Sequence, residues 1–142
     1  RQRTAALYTH FFALVGDEDF TWCDKAVYDP AFTAAAPFAG KRNERTICGG
    51  RARDSGKMHG LVRYEYHECL VEEGRREGQQ HGLRVVCTQM GHVWVRLYRR
   101  GRRLAQVVLN ADMTEQSTVD DGGLKMLRSN LGLVRDCFAK SR

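Results

Sequence analysis

The chain has 142 residues, of which 28% are charged and 42% hydrophobic, and its formal net charge is +6 at pH 7. A chain of this length can bury about 68–70% of its unfolded surface, which is enough for one hydrophobic core. Two prolines and fourteen glycines spread along the chain exclude collagen and a proline-rich linker. The longest uncharged stretch, residues 4–16, is too short and too polar to cross a bilayer, so no transmembrane segment is predicted.

The five cysteines are an odd number, are scattered along the chain and form no C-x-x-C pair. Small secreted domains that depend on disulfides usually contain an even and dense set of cysteines. The cysteine pattern therefore predicts reduced thiols, no disulfide and an intracellular location.

The first 39 residues carry helical signals. Asp29 and Pro30 have the order of a helix cap and a first helical residue, and Pro37 would end the short helix that they start. Residues 1–39 are therefore predicted to be helical. Nearer the start of the chain, apolar residues recur at helical spacing and stop at a glycine: Leu7, Phe11, Leu14, Val15 and Gly16.

Residues 40–55 are polar and basic and contain Gly49-Gly50, a composition that is typical of a connection. Over residues 56–110 the apolar period changes to two, which is the period of a strand with one buried face. Glycines separate these runs, which favours an antiparallel meander of hairpins. The predicted strands lie within residues 61–66, 83–87, 93–98 and 104–109.

Residues 111–142 begin with a turn-like stretch and end in a predicted amphipathic helix. Ser117 or Thr118 is a candidate cap for this helix. The chain is thus predicted to be a single α+β domain, an antiparallel β-meander of repeated hairpins flanked by N-terminal helices and the C-terminal helix. The apolar positions of that helix are Leu124, Leu127, Leu131, Val134 and Phe138.

A six-residue pattern, G-x-x-H-G-L, occurs twice in the strand region at an offset of 22 residues. A degraded third copy begins near Gly101. Glycine permits the positive φ of a tight turn, and histidine can brace a turn by hydrogen bonding to the backbone. Each complete copy is therefore predicted to begin a β-hairpin, with the turn residues Gly56, His59, Gly60, Gly78, His81 and Gly82.

These two copies resemble variant MORN repeats, whose units begin with a similar glycine-rich turn and fold as β-hairpins. The resemblance covers about 50 of the 142 residues. MORN-type repeats generally act as scaffolds that contact proteins and sometimes lipids. The resemblance therefore implies a scaffold that is built from stacked hairpins.

The basic charge is concentrated in one segment. Residues 75–103 contain eight arginines and one acid, Glu77, whereas residues 1–71 contain ten basic and nine acidic residues. Guanidinium groups bind phosphate and carboxylate bidentately, so the segment predicts a face that contacts an anionic partner. The candidate contact residues are Arg84, Trp94, Arg96, Tyr98, Arg99, Arg100, Arg102 and Arg103.

Two kinds of partner fit this arginine-rich segment. One is an acidic protein surface within a larger complex. The other is single-stranded RNA or another polyanion, for which arginines would bind the backbone while Trp94 and Tyr98 stack on bases. Strand alternation places Trp94, Arg96 and Tyr98 on one face and the intervening apolar residues on the other, and one of these faces must be core.

A metal site is a further alternative. Two cysteines and two histidines suit tetrahedral zinc, although their spacings differ from those of the common zinc knuckles. The competing interpretation is that the cysteines are small core residues and that both histidines lie near turns. The four residues are His67, Cys69, Cys87 and His92, and no bound metal is predicted.

Signals for catalysis are sparse. The adjacent acids Glu72-Glu73 and Asp120-Asp121 would point to opposite faces of a strand, and such pairs are typical of a solvated surface. The sequence contains neither a phosphate-binding loop nor a dinucleotide fingerprint. It therefore predicts no cofactor and no catalytic residues. The predicted function is a non-catalytic interaction or scaffold module within a larger assembly, with RNA binding as the alternative.

Overall fold

A computed structural model of the protein describes residues 35–42, 45–52 and 55–139. In this part of the chain, eight strands form one antiparallel sheet in which each strand pairs with the next along the sequence. The predicted antiparallel meander and C-terminal helix are confirmed. The elements are β1 (Ala35–Arg42), β2 (Arg45–Ala52), β3 (Met58–Tyr66), β4 (Cys69–Arg76), β5 (Gln79–Cys87), β6 (Val93–Arg99), β7 (Arg102–Leu109), β8 (Glu115–Asp120) and α1 (Leu124–Ala139).

The predicted connection over residues 40–55 is wrong, because β1 and β2 occupy most of it. Gly49-Gly50 lies inside β2, at the point where the register with β3 shifts. Glycines often mark such a bulge inside a strand. Pro37 lies within β1, which is an edge strand of the sheet that the described residues form, and proline is tolerated on an edge strand. The helical prediction is wrong for residues 35–39, which belong to β1. Residues 1–34 lie outside the described part of the chain.

The start of the C-terminal helix also differs from the prediction. Ser117 and Thr118 belong to the polar strand β8, so neither caps the helix. Asp120 partly caps the start of α1, because its Oδ1 accepts hydrogen bonds from the backbone N–H groups of Gly122 (2.9 Å) and Leu124 (3.2 Å). These backbone hydrogen bonds lower the pKa of Asp120.

Alternation along the strands gives the sheet one apolar face, called here the helix face, on which α1 packs. Val93, Val95 and Leu97 of β6 lie on this face and are buried. Leu127 and Leu131 of α1 belong to the same cluster. The helix contacts β7 and β8, so its apolar stripe covers the last strands of the meander. No helix among the described residues has the length and apolar character needed to cross a membrane.

The two G-x-x-H-G-L turns have the same geometry. His59 lies in β3 and His81 lies in β5, and both are buried. Each lies at the start of a hairpin, as predicted. His59 Nδ1 accepts a hydrogen bond from the Glu77 amide (3.4 Å), and His81 Nδ1 accepts one from the Arg100 amide (3.0 Å). Burial lowers the pKa of His59, although Glu77 partly offsets this effect, and a low pKa favours the neutral ring that can accept. Each histidine thus anchors the turn of the next hairpin.

The degraded third copy ends the series. The position that corresponds to histidine is Leu104, whose carbonyl accepts hydrogen bonds from the amides of Asp121 (2.9 Å) and Gly123 (3.0 Å). A Cβ atom at Gly123 would lie 2.6 Å from the Leu104 Cβ atom, so only glycine fits this approach. The repeat therefore ends where the chain leaves β8 and enters α1.

Replacing His81 with Ala should lower the free energy of unfolding by about 2–4 kcal/mol, because the variant leaves a void and removes the acceptor of a turn amide. The partly exposed His92 provides a matched control, and His92→Ala should change stability by less than about 0.5 kcal/mol. Urea unfolding followed by circular dichroism measures both variants. Equal losses for the two variants would contradict the anchoring role of His81.

Candidate binding face

The sheet face opposite α1 carries a row of polar side chains and is called here the arginine face. Across this row, Glu73 of β4 pairs in register with Arg84 of β5, which pairs with Arg96 of β6, which pairs with Gln106 of β7. Two guanidinium-bearing residues therefore lie directly opposite each other. Like charges at such positions destabilise a sheet unless other groups compensate for them.

One buried carboxylate compensates for part of this charge. Glu73 has no exposed side-chain surface and lies 3.2 Å from Arg75 Nη2 and 3.9 Å from Arg84 Nε. Gln80 Nε2 donates a further hydrogen bond to Glu73 Oε2 (3.0 Å). The Tyr64 hydroxyl hydrogen-bonds the side chains of both Glu73 and Arg84. The charge of Glu73 is thus shared by two arginines, neither of which is Arg96.

Arg96 is held in place without a carboxylate among the described residues. Its Nε donates to Gln106 Oε1 (2.6 Å), and its Nη1 lies 3.5 Å from the Tyr98 hydroxyl. The guanidinium carbon lies 6.0 Å from the centre of the Trp94 ring, at the outer limit of a cation–π contact. A guanidinium group has five N–H donors, so three of those on Arg96 have no partner in the part of the chain that the structure describes.

Trp94 and Tyr98 share this face but differ in exposure. Trp94 is 38% exposed, whereas Tyr98 is 8% exposed. The buried ring of Tyr98 offers little surface on which a base could stack, and its hydroxyl orients Arg96 instead. Trp94, however, presents an accessible aromatic surface next to a positive charge.

The other predicted contact residues lie at the β6–β7 turn, at one end of the arginine face. Arg99 pairs in register with Arg102, and Arg100 occupies the turn between them with a φ of 49°. Arg103 Nε donates to Asp121 Oδ2 (3.0 Å), so its charge is partly neutralised. The turn arginines therefore extend the basic surface, whereas Arg84 and Arg96 lie within the sheet.

The adjacent acids Glu72 and Glu73 point to opposite faces, as predicted, but the prediction that they are solvated is wrong. Glu72 has no exposed side-chain surface and lies 2.5 Å from Arg63 Nε. Burial raises the pKa of Glu72 to about 7, because the nearby guanidinium group offsets only part of the cost of removing the charge from water. Each acid compensates for positive charge on its own face, and no local sequence pattern indicates this.

The structure does not bring the four candidate zinc ligands together. His67 lies in the exposed β3–β4 turn, and His92 lies in the β5–β6 connection. No disulfide joins Cys69 and Cys87, and Cys87 pairs in register with Leu70, so the two thiols point to opposite sheet faces. Among the described residues, no group of three or more His, Cys, Asp or Glu side chains could hold a metal ion.

Comparison with known proteins adds no family assignment. No protein-family model matches the chain, and neither a curated protein nor a solved structure shows significant similarity to it.

Replacing Glu73 with Gln should lower the free energy of unfolding by about 3 kcal/mol, because Arg75 and Arg84 would lose their shared carboxylate. This loss is at the lower end of the range for breaking a buried ion pair, because both guanidinium groups keep part of their hydration. The exposed Glu77 is the matched control, and Glu77→Gln should cost less than about 1 kcal/mol. Chemical denaturation of both variants tests this, and a negligible loss for Glu73→Gln would contradict the compensation.

Glu72 predicts a distinct pH dependence of stability. Its pKa is raised from 4.5 to about 7 in the folded protein, so the folded state binds this proton more tightly than the unfolded chain does. The wild type therefore loses stability from this group as the pH rises from 4.5 towards 7. Glu72→Gln cannot ionise, so its unfolding free energy should rise relative to that of the wild type over this range. Parallel stability curves from pH 4.5 to pH 8 would refute the raised pKa.

Proposed function

We propose that the protein is a non-catalytic interaction module, a subunit of a larger assembly, whose arginine face contacts an anionic protein partner. The observation that carries this proposal is the state of Arg96. Its guanidinium group is oriented by Gln106 and Tyr98, yet no described carboxylate neutralises it. An oriented, uncompensated arginine beside an exposed tryptophan has the composition of an interface hot spot.

The fold supports this role by making the face rigid. The histidine anchors fix successive hairpins against each other, and α1 covers the opposite side of the last strands. Binding groups on strands of a packed sheet are more precisely positioned than groups on loops. The partner would therefore meet a preformed surface and would not have to order it.

Single-stranded RNA is the second candidate partner, because Trp94 is exposed and Arg96 is close to it. Such binding would combine stacking on Trp94 with phosphate contacts from the arginines. Of the two described rings on β6, Tyr98 is buried and Trp94 alone is exposed, whereas sequence-tolerant RNA binding usually uses several stacked bases. This difference favours the protein partner.

The proposal predicts that the protein binds a glutamate-rich peptide and that Arg84→Gln/Arg96→Gln abolishes the binding. The matched control is Arg128→Gln/Arg135→Gln, which removes the same charge from α1, where both residues contact Glu115. Titration calorimetry at low and physiological salt measures these affinities, and thermal unfolding verifies that both variants fold. Equal losses in the two double variants would contradict the role of the arginine face.

A random single-stranded RNA in the same assay tests the alternative. We expect no binding at physiological salt. Tight binding that weakens steeply with salt, with a log–log slope of about 0.7 for each phosphate contact, would replace the protein partner with RNA. If neither probe binds at low salt, the proposed function is wrong.

A further inference from the structure

The arginine face contains two parallel rows of different chemistry. The guanidinium row consists of Arg84 and Arg96, continued by Gln106. The second row lies two residues away along each strand, where Val86 pairs with Trp94 and Trp94 pairs with Val108. Of these apolar residues, Trp94 is exposed and Val86 is half-buried. A partner on this face would therefore meet positive charge and apolar surface side by side.

The spacing between the rows follows from strand geometry. Two residues along a strand span roughly 6.6–6.8 Å. An extended peptide has the same repeat, so its side chains at positions i and i+2 point to one side at this separation. A peptide that runs along β6 would thus place one such side chain over Arg96 and the other over Trp94.

The donors of Arg96 define the first of these side chains. Gln106 engages Nε and Tyr98 lies beside Nη1, so Nη2 and the second N–H of Nη1 form an outer edge without a described partner. Two parallel N–H groups on a planar guanidinium match the two oxygens of a carboxylate. A lysine ammonium group has no such fork and would bind a carboxylate only as a point charge.

We propose, on the basis of the proposed function, that the partner presents an extended segment with an acidic side chain and an apolar side chain two residues apart. The carboxylate binds the outer edge of Arg96 bidentately, and the apolar side chain packs on Trp94 beside Val86. Gln106 and Tyr98 are positioning residues, because they hold the guanidinium group and do not contact the ligand. Arg84 adds positive charge, although Glu73 and Tyr64 already engage its side chain.

The experiment uses two capped decapeptides of identical composition, with serine and glycine flanks. One contains Glu-Ser-Leu at its centre, which has the i, i+2 spacing, and the other contains Glu-Leu-Ser. Amide-resolved NMR titrations of the full chain suit the weak affinities expected of such short probes. We expect the Glu-Ser-Leu peptide to bind several-fold more tightly, and Trp94→Ala to abolish the difference between the two peptides.

Arg96→Lys tests the fork without changing the net charge. It should weaken binding of the Glu-Ser-Leu peptide by about tenfold, whereas the control Arg128→Lys on α1 should bind as the wild type does. Gln106→Leu should give an intermediate loss, because Arg96 keeps its charge but loses its orientation. If the affinity of Arg96→Lys for the Glu-Ser-Leu peptide is within twofold of that of the wild type, the proposed bidentate contact is wrong.

The outcomes separate this inference from the proposed function. If both peptides bind equally and Arg84→Gln/Arg96→Gln abolishes binding, the anionic partner stands and the acid–apolar spacing is wrong. If neither peptide nor polyglutamate binds at low salt, both proposals are wrong. If a ten-nucleotide single-stranded RNA binds more tightly than the Glu-Ser-Leu peptide at physiological salt, the partner is RNA and the peptide model is overturned.

Discussion

Side chains alternate between the two sheet faces along β6, and this alternation places Arg96 on the same face as Arg84. One buried carboxylate compensates for part of the positive charge on that face. Because Val93, Val95 and Leu97 pack beneath α1, Arg96 must lie on the opposite face, directly across from Arg84. Glu73 is completely buried there and engages Arg75 and Arg84. Buried carboxylates are costly unless cations and donors surround them, so this group is committed to its two partners. Among the described residues, the hydrogen-bond partners of Arg96 are consequently the neutral side chains of Gln106 and Tyr98.

The repeated turns give this charge a fixed position. His59 and His81 each accept a hydrogen bond from the turn of the following hairpin, which couples neighbouring hairpins through buried contacts. The registers of β5, β6 and β7 then determine which residues share a row on the arginine face. A slip of one residue would move Arg96 to the helix face, where its charge would be buried among apolar side chains. Turn anchoring therefore also fixes the positions of the groups through which we propose that a ligand binds.

The sequence predicted the elements with strong periodicity and missed those without it. Alternation identified β6 and β7, and the histidine turns were found from their repeated pattern. Strand β2 was missed because Gly49-Gly50 is typical of a loop, and only pairing with β1 and β3 makes it a strand. The polar β8 has no apolar alternation because it is exposed at the sheet edge. Propensity cannot reveal such strands, since tertiary pairing stabilises them.

The candidate site was likewise only partly predictable from the sequence. The arginines and aromatics were evident from composition, but the compensation by Glu73 required the register of β4 and β5, which no local signal specifies.

The most direct test of the account is NMR of the arginine side chains in the protein labelled at arginine, before and after addition of the Glu-Ser-Leu peptide. We predict a protected Nε–H at Arg96 in the free protein and slowed rotation of its Nη groups on binding, with Arg84 unchanged. Slowed rotation confined to the turn residues Arg100 and Arg102, with Arg96 unaffected, would contradict the account.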